Sequence, residues 1–311
     1  MKTNASSTKH TAEERVSISL KSLIDLAKVS TSIKQKKAPA TNRQSGQYNA
    51  HFKGRGMAFD ESRLYQPGDD IRSLDWRVTA RTGKVHTKVF KEERERPIFL
   101  SIDNRAAMHF ATRGVFKSVQ AAKLAALLAW SAHHHGDRIG GQLFSEQQCL
   151  EFKPQNGQRA VLRLLNALSK PTPAPTTRLD LSHALARLTH HAHPGSLVYI
   201  LSDFRGLTDK TLTHIINLSH HCEVALLFIY DPLERQLPSQ GQFHFTDELR
   251  TLLIDADDTL ALNNYQQQFT QRVETLSQLA RQKRISLLHC CTTDDPLTCL
   301  TQPQSITALT L

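Results

Sequence analysis

From residue 97 onward the chain alternates short apolar runs with longer helical ones, and this alternation constrains the fold more than any other feature. "PIFLSID" is an apolar run ending in an acid, and "VFKSVQAAKLAALLAWSAHHHG" reads as a helix stopped by Gly136. Two strands, "DRIGGQLFS" and "CLEFKP", precede the helix "GQRAVLRLLNALSK". Beyond the Pro/Thr stretch "PTPAPTT" come a helix over 179–192, the strand "SLVYILSD", a helix over 207–221 and the strand "EVALLFIYD". A hairpin over 242–254, a helix over 259–283 and the strand "ISLLHC" complete the series. Strands this continuously apolar must be covered on both faces. The expected fold class is α/β: a doubly wound, mostly parallel sheet of Rossmann type.

In such sheets ligands collect beyond the carboxyl ends of the strands, where the strand order reverses. Two strands end there in aspartate, Asp103 and Asp203. As neighbours they share one crevice, where paired carboxylates can hold a hard cation or perform acid and base work.

Upstream, residues 1–12 are polar and without periodicity, as a disordered tail would be. Over 13–43, Val16, Leu20, Leu23, Leu26 and Ala27 recur at helical spacing before a linker that begins "KQKKAPATNR". Docking of that helix on the domain is favoured over binding a partner or a membrane surface. Residues 44–96 carry scattered glycines and β-prone pieces such as "KVHTKVFKEE" and read as a strand-rich segment, leaving 97–311 as the α/β domain.

Composition narrows the function classes. The net charge of +10 favours acidic partners, but aromatic residues make up only 6% and do not interleave with the basic ones, which argues against nucleic acid. No apolar run approaches the roughly 18 residues of a membrane span, and "MKTNASSTKHTAEER" lacks the apolar core of a secretory leader. A cytoplasmic protein is expected. Five cysteines, an odd number set mostly in apolar runs, read as reduced core residues, and the pair in "LLHCCTT" lacks the spacing of a zinc site.

The stretch "RLYQPGDDIRSLDWRVTARTGK" concentrates charge around one tryptophan. Pro67 and Gly68 set a turn, and Asp69 or Asp70 can accept from the backbone that follows. A short helical turn then carries Ile71, Leu74 and Trp76 toward an apolar surface. Arg63, Arg72, Arg77 and Arg81 lie within reach of Asp69, Asp70, Asp75 and Glu92 or Glu93, so the cluster largely cancels its own field. It suits a structural clasp or a partner surface better than a phosphate patch.

The ordered run Arg63, Tyr65, Pro67, Gly68, Asp69, Asp70, Arg72, Asp75, Trp76, Ala80 and Arg81 resembles the family catalogued as domain of unknown function 58. "KSLIDL", "GDRIGGQLF" and "LSDFRG" extend the resemblance over about residues 15–290. It implies a von Willebrand factor A-like domain behind a strand-rich segment. It also implies partnership with MoxR-type AAA+ ATPases or other von Willebrand A proteins, in an adaptor or chaperone-like role. Intact von Willebrand A domains hold magnesium through an Asp-x-Ser-x-Ser loop, a Thr and a further Asp. This chain departs from that pattern. Asp103 and Asp203 match, but Arg105 and Ala107 replace the serines, and Leu179 stands where Thr is expected unless Thr176 or Thr177 shifts into place. A metal-free, degenerate site is therefore expected, with Arg105 pairing with Asp103 or Asp203.

Three clusters, "AHHHGDR", "THHAHPGS" and "LSHHCEV", place histidines at helix ends, where they complement exposed carbonyls without a metal. No catalytic triad or cofactor motif is legible. The expectation is a non-enzymatic interaction module without cofactor. Metal-dependent hydrolysis or phosphotransfer through Asp103 and Asp203, and nucleic-acid binding through the basic surface, are the alternatives.

Overall fold

The computed structural model describes residues 12–33, 57–92, 96–170, 180–236, 242–246, 251–255 and 259–302. The chain divides into two compact units, one formed by Met1–Gln35 with Arg96–Leu311 and the other by Lys36–Glu95.

In chain order the first unit opens with α1 (Ala12–Val16), α2 (Leu20–Asp25) and α3 (Ala27–Ser30). The expected single amphipathic helix is thus three short ones, because Ser19 adopts an extended backbone and caps α2 by accepting from the Ser22 amide. The segment docks as its apolar spacing suggests: Leu23 is fully buried in the core, and Trp130 Nε1 donates to the Leu23 carbonyl at 3.1 Å. Of the expected tail over 1–12, Ala12 opens α1, while residues 1–11 and the linker from residue 34 onward fall outside the described residues.

The second unit consists of β1 (Met57–Leu64), α4 (Trp76–Thr82) and β2 (His86–Glu92), with β1 and β2 antiparallel. Asp75 caps α4 through the Val78 amide at 3.2 Å, and Gly83 ends it in the left-handed region at φ 69°.

The main sheet is built from β3 (Pro97–Asp103), β4 (Arg138–Phe144), β5 (Cys149–Gln155), β6 (Leu197–Ser202), β7 (Glu223–Tyr230) and β10 (Ser286–Cys291). Between them run α5 (Lys117–His134), α6 (Gln158–Leu168), α7 (Leu181–His191), α8 (Asp209–His221), α9 (Pro232–Arg235), the hairpin β8 (Gln242–Thr246) and β9 (Thr251–Asp255), and α10 (Thr259–Lys283); α11 (Pro296–Thr301) follows β10. The strand order is β10-β7-β6-β3-β4-β5. All neighbours are parallel except β5, which returns antiparallel to β4. Residues 145–148 are too few for a crossover, so β5 can only pair as a hairpin. At the edge, β5 mixes exposed and half-buried residues, whereas β3, β4, β6 and β7 are buried almost throughout.

Two cores flank the sheet. One gathers Leu23, Ile98, Leu100, Leu124, Leu128 and Val161; the other gathers Phe99, Leu185, Val198, Ile215, Phe228 and Leu276. This is a mixed α/β unit with a mostly parallel six-stranded sheet between helical layers. From β3 the chain first builds outward to β4 and β5, then crosses back to place β6 on the opposite side of β3. The reversal point therefore lies between β3 and β6. Among the described residues no helix is long and apolar enough to cross a membrane.

Candidate functional site

The register that sets Ile102 beside Leu201 brings the last residues of β3 and β6 side by side, so Asp103 and Asp203 meet at the reversal point, both fully buried. An uncompensated carboxylate in such a place is costly, and the surrounding structure compensates both. Arg105 folds back onto Asp103: Nε donates to Oδ1 at 3.0 Å and Oδ2 at 3.2 Å, and Nη2 donates to Oδ2 at 2.6 Å. The same Nη2 lies 3.7 Å from Asp203 Oδ1, and Nη1 donates to the Arg205 carbonyl at 3.1 Å. The Ser202 hydroxyl adds a bond to Asp103 Oδ2 at 2.6 Å. Burial works against the Arg105 charge, yet the charge and hydrogen bonds of Asp103, with Asp203 behind, hold its pKa above the ordinary guanidinium range.

Asp203 is served from the other side. Lys117, at the first turn of α5 and fully buried, donates from Nζ to Asp203 Oδ2 at 2.8 Å and to Glu234 Oε1 at 2.7 Å. Arg205 reaches the same Glu234 oxygen through Nη2 at 2.7 Å, with its Nε 3.5 Å from Asp203 Oδ2. Arg272 of α10 donates from Nη1 to the Asp203 carbonyl at 3.3 Å. Burial alone would raise the Asp203 pKa, but the charges of Lys117, Arg205 and Arg105 overcome it and hold the carboxyl well below its ordinary range. Glu234 is set by a capping box in which Asp231 begins α9. Asp231 itself, at the end of β7, accepts from Thr112 Oγ1 at 2.5 Å and Thr292 Oγ1 at 3.0 Å, tying three loops together.

Three of the four crevice residues singled out by sequence therefore meet. Ala107, in the short helical turn at Ala106–Met108, is half-buried and brings no polar side chain. Leu179, Thr176 and Thr177 lie outside the described residues. Sequence reasoning missed Lys117, Ser202, Arg205, Glu234 and Arg272. A lysine opening a helix, where the dipole disfavours cations, was a readable sign of a fixed anion nearby.

Magnesium, which the resemblance to von Willebrand A domains brings with it, needs oxygen donors free to face it. Here the carboxylate oxygens accept from Arg105, Ser202, Lys117 and the Arg105 and Arg205 amides. The donor set does not fit a divalent cation, and among the described residues no group of three His, Cys, Asp or Glu is placed to hold one.

In the second unit, Arg63 pairs with Asp69 at 2.6 Å, and Asp69 also accepts from the Gln66 amide at 2.9 Å. Asp70 accepts from the Arg72 amide at 3.0 Å, and Asp75 accepts from Ser62 Oγ at 2.8 Å. Hydrogen bonds from Gln66 and Ser62 head the causes that lower the pKa of Asp69 and Asp75, respectively. Gly68 holds the turn at φ 107° beside half-buried Tyr65, and Arg81 lies exposed in the last turn of α4. Ile71 and Trp76, expected to face an apolar surface, are instead 67% and 68% exposed, since the two-stranded sheet is too small to cover them. The histidine clusters sit in the last turns of α5, α7 and α8, where His135 Nδ1 lies 2.7 Å from the Ser131 carbonyl.

Fold and crevice define an α/β protein whose topological reversal point is filled by its own buried ion-pair network. The chain belongs to the family described as protein of unknown function DUF58, whose model matches residues 61–276. Uncharacterized protein Mb1516 of Mycobacterium bovis and uncharacterized protein Rv1480 of Mycobacterium tuberculosis are each 30% identical over 195 residues, 62% of this chain and 61% of theirs. The chain thus spans under two thirds of the length of the curated relatives it matches. Among solved structures, an aerotolerance-related membrane protein from Bacteroides fragilis is similar at TM-score 0.45 and 12% identity, covering 68% of this chain and 99% of that one. The conserved hypothetical protein BatB from Bacteroides thetaiotaomicron is similar at TM-score 0.43 and 11% identity, covering 69% and 98%.

Proposed function

We propose that this protein is a non-enzymatic interaction module: a von Willebrand A-like domain in which a guanidinium has taken over the place of the metal ion, acting as an adaptor for a MoxR-type AAA+ ATPase. The observation that carries this reading is the Arg105 side chain, bonded to both oxygens of Asp103 and 3.7 Å from Asp203. A strand order that reverses beside β3 and ends in an antiparallel edge supports the domain type. Both aspartates are fully buried and held in ion pairs, an arrangement suited to rigidity and poorly suited to shuttling protons. The exposed Trp76 and Ile71 offer the second unit a contact surface of its own.

Two measurements test the reading. Capture of the ATPase on the immobilised protein should weaken with salt and be indifferent to chelator. Calorimetric titration with magnesium should give no binding tighter than about 100 micromolar; tighter binding that Asp103→Ala abolishes would overturn the reading.

A further inference from the structure

Arg105 completes the crevice and has little left for anything else. Its Nε and Nη2 point at Asp103, its Nη1 at the Arg205 carbonyl, and its side chain is 10% exposed. The cations at the rim are Arg205 and Arg272. With Glu234, Tyr265 and Gln268 they line a cavity of about 280 Å³ against α10.

Among the described residues, the ion pairs beside this cavity leave one guanidinium without a paired carboxylate. Lys117, Arg205 and Arg272 stand against the carboxylates of Asp203 and Glu234, while Asp103 and Arg105 cancel each other. That guanidinium is Arg272: among the described residues no carboxylate pairs with it, and it donates to the Asp203 carbonyl. Burial lowers its pKa from the ordinary guanidinium value; Asp203 opposes that, Arg205 adds to it and Glu234 opposes it, and a guanidinium keeps its proton regardless. Arg205 is presented by a strained turn. Phe204 is fully buried in the left-handed region at φ 51°, which bulky residues avoid, with its amide donating to Ser202 Oγ at 2.9 Å. Arg205 Nε is buried with no hydrogen bond among the described residues, and its nearest charged neighbour is Asp203 Oδ2 at 3.5 Å, so the side chain is held from within and only its far end faces the cavity. A fixed backbone and a guanidinium without a paired carboxylate converge on one opening.

We propose that the cavity between Arg205 and Arg272 is a binding site for a carboxylate monoanion, presented by an acidic residue of a partner protein. The one guanidinium without a paired carboxylate calls for a single negative charge, and two guanidinium groups side by side suit a planar acceptor. The proposal rests on the interaction-module reading for the source of the carboxylate, and not for the chemistry of the pocket.

The test uses the full chain and four probes: a blocked Gly-Gly-Glu-Gly-Gly peptide, its Gln counterpart, acetate and inorganic phosphate. Calorimetry should show salt-sensitive binding of the Glu peptide, at least about tenfold weaker for the Gln peptide and for Arg272→Gln, with Arg272→Lys in between. Arg272→Gln should unfold close to the wild-type temperature, since among the described residues its side chain pairs with no carboxylate and gives up one long hydrogen bond to the Asp203 carbonyl; should it unfold early, Arg272→Lys decides, and a Lys variant that binds like wild type overturns the proposal. No binding of any carboxylate up to about 10 mM, affinity unchanged in Arg272→Gln, or preference for phosphate also overturns it. Acetate binding without peptide binding overturns the partner as the source. Failed titrations with ATPase capture intact would sink the pocket and spare the module; carboxylate binding without capture would do the reverse.

Discussion

Lys117→Met isolates the energetic centre of the crevice. The ammonium lies 2.8 Å from Asp203 and 2.7 Å from Glu234, and none of the three side chains is more than 3% exposed. Methionine keeps most of the length and apolar packing of the stem and removes the charge. Asp203 then keeps Arg205 at 3.5 Å and Arg105 at 3.7 Å, and Glu234 keeps Arg205 at 2.7 Å. Removing one member of a buried pair costs about 3–5 kcal/mol. Arg205 and Arg105 still shield these carboxylates, so the loss should fall at the lower end, about 3 kcal/mol. In a Trp76→Phe background Trp130, the other of the two tryptophans, reports urea unfolding of the sheet-bearing unit. Adding Glu234→Gln removes a carboxylate that has lost one of its two cationic partners, so the double variant should lose about 1–2 kcal/mol less than the sum of the single ones. A Lys117→Met protein within about 0.5 kcal/mol of its parent, or a strictly additive cycle, would refute the reasoning.

Other expectations follow from single features. Neither ring nitrogen of buried His289 has a hydrogen-bond partner among the described residues, and burial pushes its pKa down to about 4. Because the unfolded chain takes the proton more readily, stability is full above about pH 6.5 and falls by about 3 kcal/mol as pH drops through 4. His289→Leu should flatten that slope in urea midpoints, and parallel profiles would count against it. Gly141, in β4 at φ 153°, would place an added methyl 2.1 Å from the Leu100 carbonyl oxygen, so Gly141→Ala should lose more than about 3 kcal/mol or fail to fold, judged by its thermal transition. Leu23→Ala, at a fully buried position of the docked N-terminal segment, should cost about 2–5 kcal/mol and speed hydrogen exchange in α2; wild-type behaviour would mean the docking contributes nothing.

How much of this was legible in the chain depends on range. Strands β3, β6 and β7 read as apolar runs, because burial on both faces leaves no polar alternation to confuse the period. The antiparallel return of β5 was readable too, in the brevity of residues 145–148, yet composition alone gave no reason to separate that strand from the others. Local devices were equally open: Asp231-Pro-Leu-Glu234 is a capping box on sight, and Ser19 interrupts an otherwise regular helical spacing. The ion network was not. Asp103 and Lys117, Asp203 and Arg205, Glu234 and Arg272 lie in four separate segments, and only the strand order makes them neighbours. Arg105 was legible because it stands two residues from its partner; Lys117 was not, because its two partners are 86 and 117 residues away.

That difference in range bears on function. An ion in a crevice can offer an incoming carboxylate an open coordination position, whereas a guanidinium whose hydrogens already lie on Asp103 and the Arg205 carbonyl cannot. With Arg105 matched to Asp103 from within, the proposed recognition of a carboxylate falls to cations further out that are less completely matched among the described residues. Arg205 and Arg272 meet that condition, and both are tied to the buried network, one through Glu234 and the other through the Asp203 carbonyl. An anion drawn into their cavity would pull on the loop that follows β6, the same loop whose Arg205 carbonyl Arg105 holds. Buried network and rim are therefore one mechanical unit: weakening the Lys117 contacts should loosen the grip on a carboxylate even though Lys117 never touches it.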